Sequence, residues 1–571
     1  MDRKLLKKLW AYLAPFKGYL ALALLFLFLT KLLETYIPFY AGYLVQKMLG
    51  TSNTNGATMH AVTYGVLWML FLIVIGCIME MGTVYLKGRI GQRAIFGLRQ
   101  DVYRHILTLP EKVLDRSAVG KLMTRTIHDI DQIDQMFTDS LVPLIGGIFL
   151  FFTIGGAVFY LNWRIALLGI ALLPFLGVFL FFFRKVQRRC YQAIRTIVAS
   201  MNGFLQEHLS GVMVIRSFGL EKGEKKRFEE LNTAYCDAYF ESSKNFGILI
   251  SGIEFLSNLA LISTFALFAI YGVGESFQAG AFFTLILYTV LFFRPLIDLA
   301  ERYNVLQSAL AAAERVFEVL DQPLENRGPV PGLSLSGIQT IQFQEVWFAY
   351  EKENWVLKGL NFSLKSGEIL AVVGVTGAGK STLMNILLRL YDFQKGSILI
   401  NGQDIRSFNA ETLRYHFSVI FQDPILFSGP LAENIAFYDP AIQLSEIQTV
   451  TQEVGLRLPQ NILLSERGKT LSMGERQLIA LARAVAHKRS ILIFDEATAN
   501  IDTETEQLIQ KALAKILPQQ TSLIIAHRLS TIKSATRILV LHEGIAKESG
   551  THTELLAHNG LYARLYRLQF S

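Results

Sequence analysis

Hydrophobic patterning divides the chain into two unlike parts. Over about the first 300 residues, six apolar stretches are long enough to span a bilayer: Gly18–Val45, Ala61–Tyr85, Leu141–Leu161, Ile165–Phe183, Phe246–Tyr271 and Ala279–Leu299. Asp321–Gly337, DQPLENRGPVPGLSLSG, lacks periodicity and is rich in Pro and Gly, which predicts a linker. Beyond it the apolar runs shorten. Ile369–Val373 and Ile491–Phe494 are wholly apolar, as expected of strands covered on both faces of a parallel sheet. A further apolar strand precedes His527 in LIIAHRLSTI. Leu478, Leu481, Ala482 and Val485 recur at i, i+3, i+4 and i+7, the pattern of a helix with one covered face. Ser472 and Glu475 form a capping box that places the start of this helix near Ser472.

Lys and Arg sort the connections between the long stretches. Segments 49–60 and 272–278 hold neither, and 162–164 holds only Arg164. The long connections 88–138 and 184–245 are rich in both, including Arg89, Arg93, Arg99, Arg104, Arg125, Arg184, Lys185, Arg188 and Arg189. By the positive-inside rule, both termini and both long loops are expected on the cytoplasmic side. The loops are helical in pattern, and the charge run from Gly219 to Phe228 is expected as a solvated helix face. The N-terminal MDRKLLKKLWAYLAPF is basic and amphipathic, so it is expected to lie on the cytoplasmic membrane surface. A cleavable leader is not expected, because the apolar segment after it is too long and no small-residue site follows.

Composition agrees with a membrane component: 51% of the 571 residues are apolar and 18% charged. The net charge of +8 then reads as a topology signal, and no nucleic-acid partner is needed to explain it. Cys77, Cys190 and Cys236 form neither a metal-ligand nor a disulfide pattern and are expected as free thiols.

The candidate chemistry lies in the second part. Directly after Ile369–Val373 comes Gly374-Val375-Thr376-Gly377-Ala378-Gly379-Lys380-Ser381-Thr382. This is G-x-x-x-x-G-K-[ST] between a predicted strand and a predicted helix, a phosphate-binding loop. Its glycines let backbone N–H groups close around phosphate oxygens at a helix N-terminus. Lys380 would reach the outer phosphates and Ser381 would ligate Mg²⁺. Asp495 and Glu496 end the second buried strand, where parallel α/β sheets place their ligands.

LSMGERQ directly ahead of ILIFDE resembles the signature and Walker B segments of the ATP-binding cassette (ABC) transporter family. Six spans with long helical inner loops resemble the exporter-type (type IV) fold. The resemblance implies an α-helical membrane domain of six transmembrane helices with long cytoplasmic extensions, fused to an α/β P-loop nucleotide-binding domain. The boundaries expected are 1–320 for the membrane domain, 321–337 for the linker and 338–571 for the ABC ATPase. Short transverse helices at the loop tips would lie near Leu114–Gly120 and Leu209–Arg216. The cofactors implied are ATP and Mg²⁺, and the location is the bacterial plasma (inner) membrane.

The same resemblance assigns roles. Tyr350 matches the family's A-loop aromatic, on which adenine stacks. Gln422 matches the Q-loop glutamine, touching Mg²⁺ and the attacking water. Asp495 would hold Mg²⁺, Glu496 would act as general base on water, and His527 would be the switch histidine bonding the γ-phosphate. Asn500, Ile501 and Asp502 occupy the D-loop, and Ser465-Glu466-Arg467-Gly468 resembles the segment that meets the partner's inner loop. The interval from Asn434 to Ser465 is shorter than usual for exporters.

The signature itself departs from the family's Leu-Ser-Gly-Gly-Gln. Here it reads Leu471-Ser472-Met473-Gly474-Glu475. In the family this segment closes over ATP held by the other subunit. Met473 adds bulk where glycine lets the backbone approach, and Glu475 brings a carboxylate towards a polyanion. That charge opposes closure if desolvated and is harmless if it only caps its own helix. A complete hydrolytic set beside an altered signature resembles the MdlB-like subunit of bacterial heterodimeric multidrug exporters. A heterodimer with a second half-transporter is therefore favoured; a homodimer with two LSMGE sites is the alternative.

Charges inside the spans point to a cavity or to interhelical pairs. Lys31 and Glu34 stand one turn apart; Glu80 and Glu254 sit inside their stretches, and Arg294 and Asp298 near the inner end of the sixth. The Phe-rich runs at Phe149–Phe152 and Phe181–Phe183 are expected as lipid-facing bulk. The function implied is ATP-driven export of amphipathic or hydrophobic compounds: drugs, lipids or peptides. The alternatives are a lipid flippase, an exporter-fold importer of siderophore-like molecules, and a regulatory ATPase subunit that does not itself transport.

Overall fold

The computed structural model describes residues 3–50, 56–116, 119–271, 279–329, 332–351, 353–459, 461–495, 503–525 and 532–570. The chain forms two compact units: Met1–Leu107 with Val119–Gln322, and Thr108–Ala118 with Pro323–Ser571.

The helices of the first part, in chain order, are α1 (Arg3–Leu13), α2 (Lys17–Gly50), α3 (Gly56–Ile106), α4 (Glu111–Arg116), α5 (Val119–Thr124), α6 (Ile130–Gln135), α7 (Val142–Leu161), α8 (Trp163–Ser210), α9 (Val212–Ser217), α10 (Glu221–Tyr271) and α11 (Ala279–Leu320). All except α4 belong to the first unit. The six apolar stretches fall within longer rods. Helix α3 has 51 residues, which at 1.5 Å per residue is about 75 Å, against about 30 Å of hydrocarbon. Among the described residues, five helices are long and apolar enough to cross a membrane, and Ala279–Phe293 is a shorter sixth apolar helix.

Three differences from expectation have local causes. The loop-tip helices are α4 and α9, the first starting three residues before the predicted span and the second three residues after its start. Pro110 starts the first, its carbonyl accepting from the Val113 and Leu114 N–H groups at 2.9 and 3.3 Å; the Gly211 carbonyl likewise receives Val214 and Ile215 at 2.9 and 3.1 Å. Helix α1 buries its stripe of Leu5, Leu9 and Leu13 on protein, against Ile90, Ala94 and Leu98 of α3 and Ala309, Ala313 and Val316 of α11. The Phe runs are mixed: Phe152, Phe181 and Phe182 are exposed, whereas Phe149 packs on Phe28 and Phe151 on Phe292, with centroids 4.2 and 4.8 Å apart.

Helices α5, α6 and α7 join into one rod through π turns at Arg125–Asp129 and Met136–Leu141. Such turns shift the faces that side chains occupy. The first presents Asp129, only 3% exposed, to Arg315 on α11. The guanidinium donates from Nε at 3.0 Å and Nη2 at 2.6 Å to the two carboxylate oxygens. Helices α2 and α11 cross backbone to backbone. A Cβ added at Gly42 would collide with the Gly280 carbonyl oxygen, and one at Gly280 with that of Gly42, the small-residue crossing typical of membrane helices. The Gly280 N–H donates to Gln46 Oε1 at 2.9 Å, and Tyr288 donates to the Thr35 carbonyl at 2.6 Å.

The second unit carries strands β1 (Thr340–Phe348), β2 (Leu357–Lys365), β3 (Ile369–Val373), β4 (Lys395–Ile400), β5 (Gln403–Asp404), β6 (Phe417–Ile420), β7 (Gly429–Pro430), β8 (Leu463–Leu464), β9 (Ile491–Asp495), β10 (Thr521–Ile525), β11 (Arg537–His542) and β12 (Ile545–Gly550). Its helices are α12 (Lys380–Leu387), α13 (Ala410–Arg414), α14 (Leu431–Ala436), α15 (Leu444–Glu453), α16 (Met473–Ala486), α17 (Thr503–Ile516) and a C-terminal pair at His552–Ala557 and Leu561–Phe570. The central sheet runs β12-β11-β3-β10-β9-β6, and a second sheet runs β2-β1-β4-β5. Every residue of β3, β9 and β10 is buried. Ala371, Phe494 and Ile524 face the core formed with α16, while Val372, Ile493 and Leu523 face the one formed with β1, β4 and α12.

Arg315→Met leaves the Asp129 carboxylate buried without its partner. Half-exposure of Arg315 tempers the usual penalty for breaking a buried pair, so the expected loss is about 2 kcal/mol. Denaturant titration in detergent micelles should show it; an unchanged midpoint would contradict the assignment.

Candidate functional site

Strand β3 delivers the chain to the phosphate-binding loop and α12 takes it away. The turn between them needs glycine at three places. Gly377 and Gly379 have φ of 84° and 99°, in the left-handed region, and a Cβ at Gly374 would meet the Leu541 carbonyl of β11. Ala378 is buried and Val375 exposed. Lys380 is 7% exposed; its ammonium donates to the carbonyls of Gly374 and Val375 at 2.6 and 3.2 Å.

Asp495 ends β9 and is 8% exposed. Strand β10 separates β3 from β9 and holds both in register, pairing Ile525 with Val372 on one side and Asp495 on the other. Burial lowers the Lys380 pKa, against the pull of Asp495. Burial likewise raises that of Asp495, against the pull of Lys380. For both groups desolvation outweighs mutual attraction, as expected of charges held out of water for a charged ligand. Ser381 is exposed, as is Gln422, two residues past β6, the strand beside β9. A carboxylate, a hydroxyl and an amide oxygen are the hard donors that suit Mg²⁺.

Tyr350 follows β1 and reaches the loop, its hydroxyl donating to Thr382 Oγ1 at 3.2 Å. Its ring stands edge-on to Phe348 and Tyr391, with centroids 4.8 and 5.0 Å away. This leaves Tyr350 partly exposed, as a stacking platform requires. Glu496, Asn500, Ile501, Asp502 and His527 lie outside the described residues.

The Leu471–Glu475 segment opens α16 with Ser472 at the N-cap and Met473 in the first turn. The capping box forms in both directions: Glu475 N–H donates to Ser472 Oγ at 3.2 Å, and Ser472 N–H to Glu475 Oε2 at 2.8 Å. The carboxylate that departs from the neutral residue of the family thus serves its own helix. Gly474 is buried, and Ser465 precedes a short 3₁₀ turn over Glu466–Gly468 in which Arg467 has φ 56°. The interval after Asn434 contains α15, capped in the same manner by Gln443 and Glu446.

Within the first unit, Lys31, Glu34 and Glu80 line one cavity of about 610 Å³ together with Lys87 and Arg302. Lys31 Nζ lies 2.6 Å from Glu34 Oε1. Lys87 and Arg302 were not singled out in the sequence, although Glu80, Thr83 and Lys87 share one face of α3 by their spacing. Glu254 does not join them: it is exposed on α10. The side chains of Arg294 and Asp298 lie outside the described residues.

Comparison with known proteins finds two family matches, ABC transporter transmembrane region over residues 20–296 and ABC transporter over 357–499. A putative ABC transporter ATP-binding protein, exp8, of Streptococcus pneumoniae serotype 4 is 33% identical over 99% of this chain and 97% of its own. The probable multidrug resistance ABC transporter ATP-binding/permease protein YheH of Bacillus subtilis is 35% identical over 87% and 75%. An ATP-dependent lipid A-core flippase of Idiomarina loihiensis is 31% identical over 99% and 98%. Among solved structures, a bacterial Atm1-family ABC exporter with ATP bound superposes with a TM-score of 0.79 at 26% identity, covering 100% of this chain and 99% of that one.

Loss of the Ser472 cap should weaken the second unit. Ser472→Ala is expected to cost about 1 kcal/mol, and Glu475→Gln, whose amide oxygen can still accept from the Ser472 N–H, under about half of that. Thermal unfolding of the two variants checks this. An equal loss from both would mean that charge, and not the capping geometry, holds Glu475.

Proposed function

The chain belongs to the ABC transporter family, and we propose that it is an exporting half-transporter whose own catalytic residues complete one ATP site with the signature of a second subunit. It is a multi-pass membrane protein in which ATP hydrolysis drives transport across the bilayer, and it works as part of a dimer. The observation that carries the proposal is the burial of Lys380 and Asp495 within electrostatic reach of each other, past the end of β3 and at the end of β9, with Tyr350 bonded to the loop.

In this reading residues 1–320 are the membrane domain, 321–337 the linker and 338–571 the ATPase. Tyr350 stacks the base, and the Gly374–Thr382 loop with Lys380 cradles the phosphates. Ser381, Asp495 and Gln422 would hold Mg²⁺, which supplies charge neutralisation of the phosphates when bound. Glu496 accepts the proton of the attacking water, and His527 steadies that water. The D-loop Asn500–Asp502 and the signature Leu471–Glu475 face the partner subunit. Both termini lie on the cytoplasmic side of the bacterial inner membrane.

The cargo is amphipathic, with the charged cavity at Lys31, Glu34, Glu80, Lys87 and Arg302 receiving its polar end. Ionisable groups are costly at membrane depth and are kept where they serve a cavity or a partner. The dimer is proposed as a heterodimer, since Met473 crowds the place where the family keeps glycine. The second reading, a homodimer, is favoured by the capping box, which engages Glu475 on its own helix.

Inverted membrane vesicles from cells expressing the chain with its partner should accumulate a fluorescent amphipathic dye when given MgATP. Lys380→Met should abolish accumulation, and Glu80→Gln should reduce it severalfold. ATP-driven uptake only into right-side-out vesicles would overturn export. Clear transport by the chain purified and reconstituted alone would replace the heterodimer with the homodimer.

A further inference from the structure

Helix α4, far ahead of the ATPase in sequence, clusters with it in one compact unit. Its contacts converge on the residues around Tyr350. Asp115 accepts a hydrogen bond from the Tyr391 hydroxyl. Arg116 Nη2 lies 3.8 Å from Glu351 Oε1, on the residue after Tyr350. The Tyr391 ring meets that of Tyr350 edge-on, 5.0 Å between centroids at 86°, and Tyr350 in turn bonds Thr382 in the phosphate loop. Pro110 and Lys112 share a cavity of about 520 Å³ with Phe348, Tyr350, Trp355 and Tyr391.

Tyr391 is firmly mounted. It stands just beyond α12, the helix that begins at Lys380. The preceding carbonyls of Leu388 and Arg389 accept from Arg414 at 2.9 and 2.8 Å, and Arg389 donates to the Phe408 carbonyl at 2.7 Å. Burial and the bond to Asp115 both push the Tyr391 hydroxyl pKa up, so it stays a donor at neutral pH. An edge-on aromatic pair transmits ring position because it has a preferred geometry.

We propose that the first inner loop senses the nucleotide base itself: a purine stacked on Tyr350 fixes the Tyr391 ring, and Tyr391 then holds Asp115 and with it α4. Tyr391 is a positioning residue, and the inference rests on the ATP-site reading above. It separates two parts of the ligand. The phosphates are held by the Gly374–Thr382 loop, whereas α4 responds to the base.

The test compares MgATP with magnesium tripolyphosphate, which has the phosphates and no base, on the full chain in lipid nanodiscs. Tyr391→Phe and Asp115→Ala should each weaken MgATP about three- to ten-fold, the range for loss of one hydrogen bond, and leave tripolyphosphate binding unchanged. The double variant should lose no more than the worse single one. Amide exchange in 111–116 should slow with MgATP and not with tripolyphosphate. Unchanged MgATP binding in both variants, or equal weakening of both ligands, would overturn the relay alone. A wild-type chain that binds neither ligand would overturn the ATP-site reading, and the relay with it.

Discussion

Burial of β3, β10 and β9 on both faces is the constraint from which the rest follows. Helices cover one side and the β1–β2–β4 layer with α12 the other, so these strands have no solvent-facing side to advertise their role. Their order puts the end of β3 and the end of β9 on one edge, with β10 as spacer. A slip of one residue in β9 would draw Asp495 into the sheet interior, where an unpaired carboxylate costs several kcal/mol. The same register leaves Asp495 and Lys380 at the rim, each strained by burial towards neutrality. These two charged groups are thus held out of water at one edge of a domain of the nucleotide-binding ABC family.

The altered signature is the place where local and intersubunit demands meet. Glu475 is an ordinary third residue of a capping box, and its bond to the Ser472 N–H stabilises α16. Within the chain itself Glu475 therefore has a capping role. In the proposed dimer, Met473 and the Glu475 charge would acquire a cost only when the segment closes on another subunit's nucleotide. In the proposed heterodimer this asymmetry would let the hydrolytic set stay intact while the signature departs from the family's.

Much of this was legible in the sequence where one residue type answers one physical need. The glycines of the Gly374–Thr382 loop, the capping pair Ser472 and Glu475 and the wholly apolar runs of β3 and β9 each have a single economical reading. The six apolar stretches were equally plain. Tertiary partners were not legible. Nothing in the spacing of Asp129 and Arg315, or of Asp115 and Tyr391, announces that each pair meets, because their helices and loops are brought together by packing. The amphipathic N-terminus shows the limit of periodicity: it tells that one face of α1 is covered, not whether lipid or α3 and α11 cover it. Helix ends moved by a few residues where Pro110 and Gly211 set them.

The account turns on whether this chain's own site hydrolyses ATP. The direct measurement is magnesium-dependent ATP turnover of the assembled transporter in nanodiscs, wild type beside Glu496→Gln in this chain alone. Loss of a general base should lower turnover at least about a hundredfold while nucleotide binding persists. Turnover unchanged by the substitution would mean that hydrolysis resides in the partner's site, and that this chain only lends its signature and inner loops.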